Sequence, residues 1–300
     1  MTNRIFRIGT RGSPLALIQT REVIQALETH YPVLKRRLEV VPIKTTGDTI
    51  VDRSLTDIGG KSLFTKEIEI SLLKKEIDIA VHSMKDVAAD VPEGLTYPAM
   101  LEREDPRDAL ITRGGQRLED LPKGSLFGTS SLRRQAYVLR KFPHLQATSL
   151  RGNVPTRLQK IESGEFDAAL FAVAGLKRLG LLEKATQILS LEECLPAVAQ
   201  GAIGIQCREE DEELMNLLAP LNHQLTFQAI TAERAFMKAL NGSCRTPIAA
   251  YAHIEEKTLF LKGMTSEPQG QNMRFISHQG PVLQAELIGK EAAHWLMSKT

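Results

Sequence analysis

Apolar residues recur along this chain with two spacings, one helical and one extended, and the switches between them mark its elements. Arg4 to Gly9 predicts a short strand. A helix carrying Leu17, Ile24 and Leu27 follows, with Ser13 as its N-cap and Pro14 in its first turn. Leu38 to Thr45 predicts a second strand, and Gly47 to Gly60 a polar loop long enough to act as a lid. Phe64, Ile68 and Leu72 predict a helix from Ser62 to about Lys75. Glu76 to Val81 then reads as a buried strand that breaks into His82-Ser83-Met84-Lys85-Asp86.

That order recurs. Phe127-Gly128-Thr129 leads into a helix as Ile8-Gly9-Thr10 does, 119 residues earlier. Glu165 to Leu170 echoes Glu76 to Val81 at an offset of 89, and Lys177 and Arg178 follow as a second basic segment. An extra loop in the first copy, around 46–60, absorbs most of the difference. The expected fold is α/β, with two similar lobes, each strand–turn–helix–strand–helix–strand. Ligands in such sheets sit beyond the C-terminal strand ends, so the basic rims are expected to face a cleft. Segments 102–106 and 195–201 are the expected crossings, and Gly204 to Cys207 the returning strand. The longest apolar run, Ala168 to Leu176, reads as a buried strand and a turn. Past about residue 220 come a helix (Thr226 to Leu240) stopped by Asn241-Gly242, three β-like segments and a final helix near Leu283 to Met297. The expected domains are 1–101 with 201–219, 102–200, and a smaller α+β domain over 220–300.

Composition narrows the function. A formal charge of +2 and 5% aromatic residues argue against a nucleic-acid binder, so cationic character must be local. The first twenty residues lack an apolar core of signal-peptide length, and no stretch approaches a membrane span. Cys194, Cys207 and Cys244 are odd in number and widely spaced, which removes a zinc ribbon and points to the cytoplasm. Cys194 and Cys207 read as buried fillers.

Local cationic character is concentrated in Gly128-Thr129-Ser130-Ser131-Leu132-Arg133-Arg134 and in Ser149-Leu150-Arg151-Gly152-Asn153 with Arg157. Ser and Thr before a helical pattern are N-cap residues, a helix N-terminus offers free backbone N–H groups to an anion, and arginine adds a planar fork for carboxylate or phosphate. Adjacent arginines point about 100° apart on a helix, so Arg133 and Arg134 cannot both lie on its outer face. Gly59-Gly60-Lys61-Ser62 lacks the earlier glycine of a phosphate loop, having Leu55 there, and leaves Lys61 to reach the cleft. Asp86 is placed to stabilise a cation while Lys85 joins the anion socket; alternatively the two form a surface ion pair. Cys244 lies in a small-residue loop beside Arg245, which can expose a thiolate.

GTRGSPLAL (9–17), GGKSLFTKE (59–67), AVHSMKDV (80–87), EREDPRDA (102–109), GTSSLRRQ (128–135), SLRGNVPTRL (149–158), AGLKRLGL (174–181), LPAVAQGAIGI (195–205) and the Cys244 loop together resemble the porphobilinogen deaminase (hydroxymethylbilane synthase) family. The resemblance implies three domains, the first two like periplasmic solute-binding lobes. It implies a dipyrromethane cofactor, joined by a thioether to Cys244, on which four porphobilinogen units are condensed with loss of ammonia. Hydrolysis then frees 1-hydroxymethylbilane, the substrate of uroporphyrinogen III synthase. It implies that Arg11, Arg133, Arg134, Arg151, Arg157 and Arg178 bind the pyrrole carboxylates, assisted by Lys85, Ser13, Ser83, Thr129, Ser130, Ser131 and Lys61, with Asp86 catalytic. A monomer without metal is expected. Two departures from the family pattern are Ser243 before the cysteine and Arg245 after it. A two-lobed binding protein for a polyanion and a Schiff-base enzyme acting through Lys85 are the rival readings. The first has no use for Asp86 or Cys244.

Overall fold

The computed structural model describes residues 4–49, 63–242 and 246–298. In chain order the elements are β1 (Phe6–Arg11), α1 (Pro14–His30), β2 (Leu38–Ile43), α2 (Thr46–Thr49), α3 (Lys66–Leu73), β3 (Ile79–Ser83), β4 (Leu95–Met100), β5 (Asp108–Thr112), β6 (Leu126–Gly128), α4 (Leu132–Lys141), β7 (Gln146–Thr148), α5 (Val154–Glu162), β8 (Ala168–Ala172), α6 (Val173–Arg178), β9 (Gln187–Ile188), β10 (Ile203–Arg208), α7 (Glu212–Leu218), α8 (Gln224–Ala239), β11 (Ile248–Glu255), β12 (Thr258–Thr265), β13 (Arg274–Pro281) and α9 (Ala285–Ser298). Among the described residues, one compact unit takes in 4–49, 63–103 and 202–227, and a second takes in 104–201, 228–242 and 246–298. The chain therefore changes unit within the 102–106 segment and at the end of the 195–201 segment, where crossings are expected, and again between Phe227 and Gln228, inside α8.

The first unit holds a five-stranded sheet in the order β2-β1-β3-β10-β4, with β1 parallel to β2 and β3, and β10 antiparallel to β3 and β4. The second unit holds β7-β6-β8-β5-β9 with the same sequence of parallel and antiparallel pairings. Ile8 pairs with Ile79 and Gly9 with Ala80 in one; Phe127 pairs with Ala168 and Gly128 with Ala169 in the other. These are the residues related by the two sequence offsets, so the repeat extends to strand register. It also explains the two glycines: a Cβ on Gly9 would strike Ile77 and Ile43, and one on Gly128 would strike Phe166 and Leu150. Apolar side chains from the residue just ahead of β3 or β8 and from the end of the neighbouring outer strand or the residues after it fill that space in each lobe.

Both sheets are covered on both faces, as their near-continuous apolar strands require. In the first unit Val23 and Leu27 of α1 pack with Ile8, Ile79, Ile203 and Ile205, while Ile68 and Leu72 of α3 pack with Ile77 and Ala80. In the second, Leu110, Phe127 and Leu170 meet Val138 of α4, and Ile111, Ala169 and Phe171 meet Leu158 and Ile161 of α5. The last part of the second unit is an antiparallel meander, β11-β12-β13, with α9 against it.

Several elements depart from the sequence expectation. β4, β5 and β9 complete the sheets, and the residues after Ala172 form a helix rather than a turn. The stop of α8 falls on Asn241, which adopts φ 51°, while the Gly242 amide donates to the Met237 carbonyl at 2.9 Å. Asparagine tolerates this left-handed position better than other β-carbon residues. Of the expected 47–60 loop, Thr46–Thr49 starts as a helical turn and residues 50–60 lie outside the described residues.

Candidate active site

β1 and β3 run parallel, so their C-terminal ends open on one edge of the first sheet. Arg11 ends β1, and Ser13 caps α1 by accepting from the Ala16 amide at 3.3 Å. Ser83 ends β3 and donates its hydroxyl to Gln19 Oε1 at 2.9 Å; a single tight turn, Met84–Asp86, then delivers Lys85 and Asp86. Arg11 Nη1 stands 3.9 Å from Asp86 Oδ2. The same guanidinium donates from Nη2 to Asp48 Oδ1 at 2.5 Å and from Nε to Asp48 Oδ2 at 3.4 Å. Its carbon lies 4.2 Å from the centre of the Phe64 ring. Burial alone would raise the Asp48 carboxyl, but hydrogen bonds from Arg11 and Thr45 and the Arg11 charge outweigh it and leave its pKa lowered. Lys61 lies outside the described residues.

His82, one residue before Ser83, is buried, with Nε2 2.9 Å from Gln206 Oε1. Burial pulls its pKa down to about 4 against the opposing Gln206 hydrogen bond, so it serves as a packed neutral residue.

In the second unit β6 ends at Gly128, and Thr129, Ser130 and Ser131 lead into α4. Thr129 is buried and accepts from the Ser131 amide at 3.1 Å. Ser131 caps α4 by accepting from the Arg134 amide at 3.4 Å. Ser130 is exposed, and its hydroxyl donates to the Leu150 carbonyl at 2.9 Å. Arg133 and Arg134 do not form an open rim. Both turn inward onto Asp108, each at 2.7 Å, and their side chains are 3% and 9% exposed against 0% for the aspartate. Arg133 also donates to the Leu195 carbonyl and Arg134 to the Leu170 carbonyl, both at 2.7 Å. Gln200 adds a bond from Nε2 to Asp108 Oδ1 at 2.9 Å. Burial would raise the Asp108 carboxyl; the two guanidinium charges overcome that and hold it far below the carboxylate range.

This cluster carries two cations and one anion, and the Nε atoms of Arg133 and Arg134 are buried without an acceptor. An uncompensated buried charge with orphaned donors is costly, and a further carboxylate would relieve it. Arg151 precedes Gly152, whose φ of 112° turns the chain into the Asn153 cap of α5. Arg157 lies in the first turn of α5, 5.5 Å from the Phe171 ring centre, and Arg178 directs both terminal nitrogens to the Gly201 carbonyl at 3.3 Å. Cys244 lies outside the described residues. Cys194 and Cys207 are buried free thiols, as the sequence suggests.

Asp108, Gln200, Asp48 and Gln19 are not singled out by the sequence, although Asp108 and Gln200 lie within the motifs 102–109 and 195–205. Asp108 sits in a run of charges that reads as solvated; the one hint is that it opens a strand, Asp108–Thr112, otherwise nearly free of charge. Among the described residues no group of three or more acidic, cysteine or histidine side chains could hold a metal ion, and no helix is long and apolar enough to cross a membrane.

Three kinds of comparison bear on this arrangement. The family described as "Porphobilinogen deaminase, dipyromethane cofactor binding domain" matches residues 6–216, and "Porphobilinogen deaminase, C-terminal domain" matches residues 227–298. A rice protein (Oryza sativa subsp. japonica) named "Porphobilinogen deaminase, chloroplastic" is 50% identical over 98% of this chain and 84% of its own length. Similar solved structures include a periplasmic binding protein of Salmonella typhimurium with high arginine specificity, 14% identical, covering 75% of this chain and 94% of that one with a TM-score of 0.41. Another is a TRAP periplasmic solute-binding protein of Desulfovibrio salexigens, 11% identical, covering 74% and 73% with a TM-score of 0.44. With both parts matched almost end to end and half of all positions shared with the rice protein, the chain belongs to the porphobilinogen deaminase family.

Proposed function

We propose that this enzyme of tetrapyrrole synthesis condenses four porphobilinogen molecules head to tail, with loss of ammonia, and releases 1-hydroxymethylbilane by hydrolysis. The observation that carries the proposal is the meeting of Asp86 and Arg11, 3.9 Å apart, at the C-terminal ends of β1 and β3. A carboxylate beside a partly exposed guanidinium suits a substrate that brings its own carboxylates and becomes cationic as it reacts. Asp86 directs its charge at the pyrrole N–H and stabilises the positive charge left on porphobilinogen when ammonia departs. Arg11, Lys85 and Lys61, with Ser13 and Ser83, hold the acetate and propionate groups of the incoming ring.

Dipyrromethane would be held as a thioether by Cys244 and, when bound, would supply the electron-rich pyrrole carbon for chain extension. The residues present fit it: the surplus positive charge and the two orphaned Nε donors on Arg133 and Arg134 suit an additional carboxylate. Thr129, Ser130, Ser131, Arg151, Arg157 and Arg178 complete the set for the primer and the lengthening product. The division into domains at 1–101 with 201–219, 102–200 and 220–300 belongs to the same reading. So do a monomeric state, hand-over of the product to uroporphyrinogen III synthase, and a reducing compartment, simplest as the cytoplasm, suited to the buried thiols of Cys194 and Cys207.

Intact-protein mass of the wild type and of Cys244→Ala tests the proposal. The expected result is a dipyrrole adduct on the first and none on the second, together with porphobilinogen consumption by the wild type alone. An adduct that survives in Cys244→Ala, or a wild type that carries none and consumes no porphobilinogen, overturns it.

A further inference from the structure

We infer that Asp48 is a positioning residue for the reaction: it grips one edge of the Arg11 guanidinium and so keeps Arg11 from closing a direct ion pair with Asp86. The inference rests on the reading of Asp86 as the catalytic carboxylate. A guanidinium presents Nε–H and one Nη2–H along a common edge, and that edge is taken by the two oxygens of Asp48, at 3.4 and 2.5 Å. The Phe64 ring, 4.2 Å away, covers one face of the plane. Only Nη1 is directed at Asp86, and its 3.9 Å separation exceeds hydrogen-bond reach.

Asp48 is itself braced. Its Oδ2 accepts from the Thr45 hydroxyl at 2.8 Å and from the Thr45 amide at 3.4 Å. The next residue, Thr46, is pinned to α3, where Glu67 Oε1 accepts from its amide at 3.0 Å and from its hydroxyl. A continuous series of contacts therefore runs from α3 through Glu67, Thr46, the adjacent Thr45, Asp48 and Arg11 to Asp86. Its effect is to set how much of the Asp86 charge is already satisfied before a substrate arrives. If Arg11 were released, it would close on Asp86 and neutralise the charge that the reaction needs. Among the described residues, the charged groups named around Asp86 are Arg11 from β1, Lys85 on its own turn, Asp48 from α2 and, behind Thr46, Glu67 from α3.

The test compares wild type, Asp48→Asn and Asp48→Glu as cofactor-loaded enzymes, loading being read by intact mass, with kcat measured against pH. Asp48→Asn removes a negative charge near Asp86 and frees Arg11 to approach it, and both effects favour the ionised Asp86. The acid limb of the profile is expected to move down by about half to one pH unit, with kcat at neutral pH falling about tenfold. Asp48→Glu is expected to recover most of both. A space-filling role would lower activity without moving the limb. If Asp48→Asn does not fold, Thr45→Val loosens Asp48 while keeping its charge and is expected to move the limb in the same direction. An unmoved acid limb in the folded variants overturns the inference, whatever the activity. Asp86→Ala, run alongside, separates the two claims. Activity within tenfold of wild type removes the role of Asp86. An inactive Asp86→Ala with an unmoved limb in Asp48→Asn removes only that of Asp48.

Discussion

Gln200 Nε2 lies 2.9 Å from Asp108 Oδ1, which ties the segment about to leave the second unit to the strand that begins it. The same nitrogen reaches the Pro106 carbonyl at 2.6 Å, and Arg133 and Arg134 complete the coordination of the carboxylate. Asp108→Ala would strand two buried cations. The expected loss is about 3–5 kcal/mol of unfolding free energy in urea titration, and a loss below about 1 kcal/mol would contradict the ion cluster described here. Because the folded-state pKa of Asp108 is depressed, its contribution is fully present above the ordinary carboxylate range and disappears as pH falls toward the folded value. Asp108→Asn is accordingly expected to flatten part of the acid-side loss of stability.

Asp86→Ala removes the carboxylate from the turn that follows β3 without touching the core, since Asp86 is partly exposed. The expected result is a fall in kcat of roughly two to three decades. The thermal midpoint should change little, and the covalent cofactor should remain visible by mass.

His82 predicts a dependence of stability on pH of its own. Its folded-state pKa is lowered to about 4 from an unfolded value of 6.5. Stability is therefore undiminished above the unfolded value, declines as pH falls from there toward 4, and is fully lost below. The span corresponds to roughly 3 kcal/mol. Replacement by a neutral residue, His82→Gln, should remove that slope between neutral pH and about pH 4. A slope identical to wild type in urea titrations across this window would assign it to other groups.

Glu233 of α8 is fully buried and accepts from the Ala199 amide at 2.6 Å and the Ala252 amide at 2.8 Å. Ala199 holds φ 61°, an unfavourable conformation for alanine that needs such a restraint. Glu233→Ala leaves two backbone donors without their carboxylate. A loss of about 2–4 kcal/mol is expected, with faster amide exchange at Ala199 and Ala252.

Local signals and internal repetition were readable directly. Ser13-Pro14 starts a helix because cap and ring act within a single turn, and Gly9 and Gly128 mark the repeat because each faces an apolar residue just ahead of the strand it pairs with, Ile77 or Phe166. The strands missed, β4, β5 and β9, pair across long sequence separations; among the described residues β4 is bonded only to β10, about a hundred residues later. No periodicity in strands of two to six residues encodes such a partner. Arginine identity pointed to anion chemistry, but whether a given arginine meets solvent or Asp108 depends on a strand that the charge run of 102–108 conceals. Asp48 was hidden similarly, inside a polar stretch read as loop.

The two sister sheets differ in one respect with a consequence for biosynthesis. All five strands of β7-β6-β8-β5-β9 lie between Asp108 and Ile188, whereas the other sheet waits for Ile203–Arg208 to enter between β3 and β4. During translation the later-encoded lobe can thus close its sheet first. Until residue 208 has cleared the ribosome, Leu95–Met100 has no strand to bond to, and β3 presents an open edge to whatever chaperone or neighbouring chain is near.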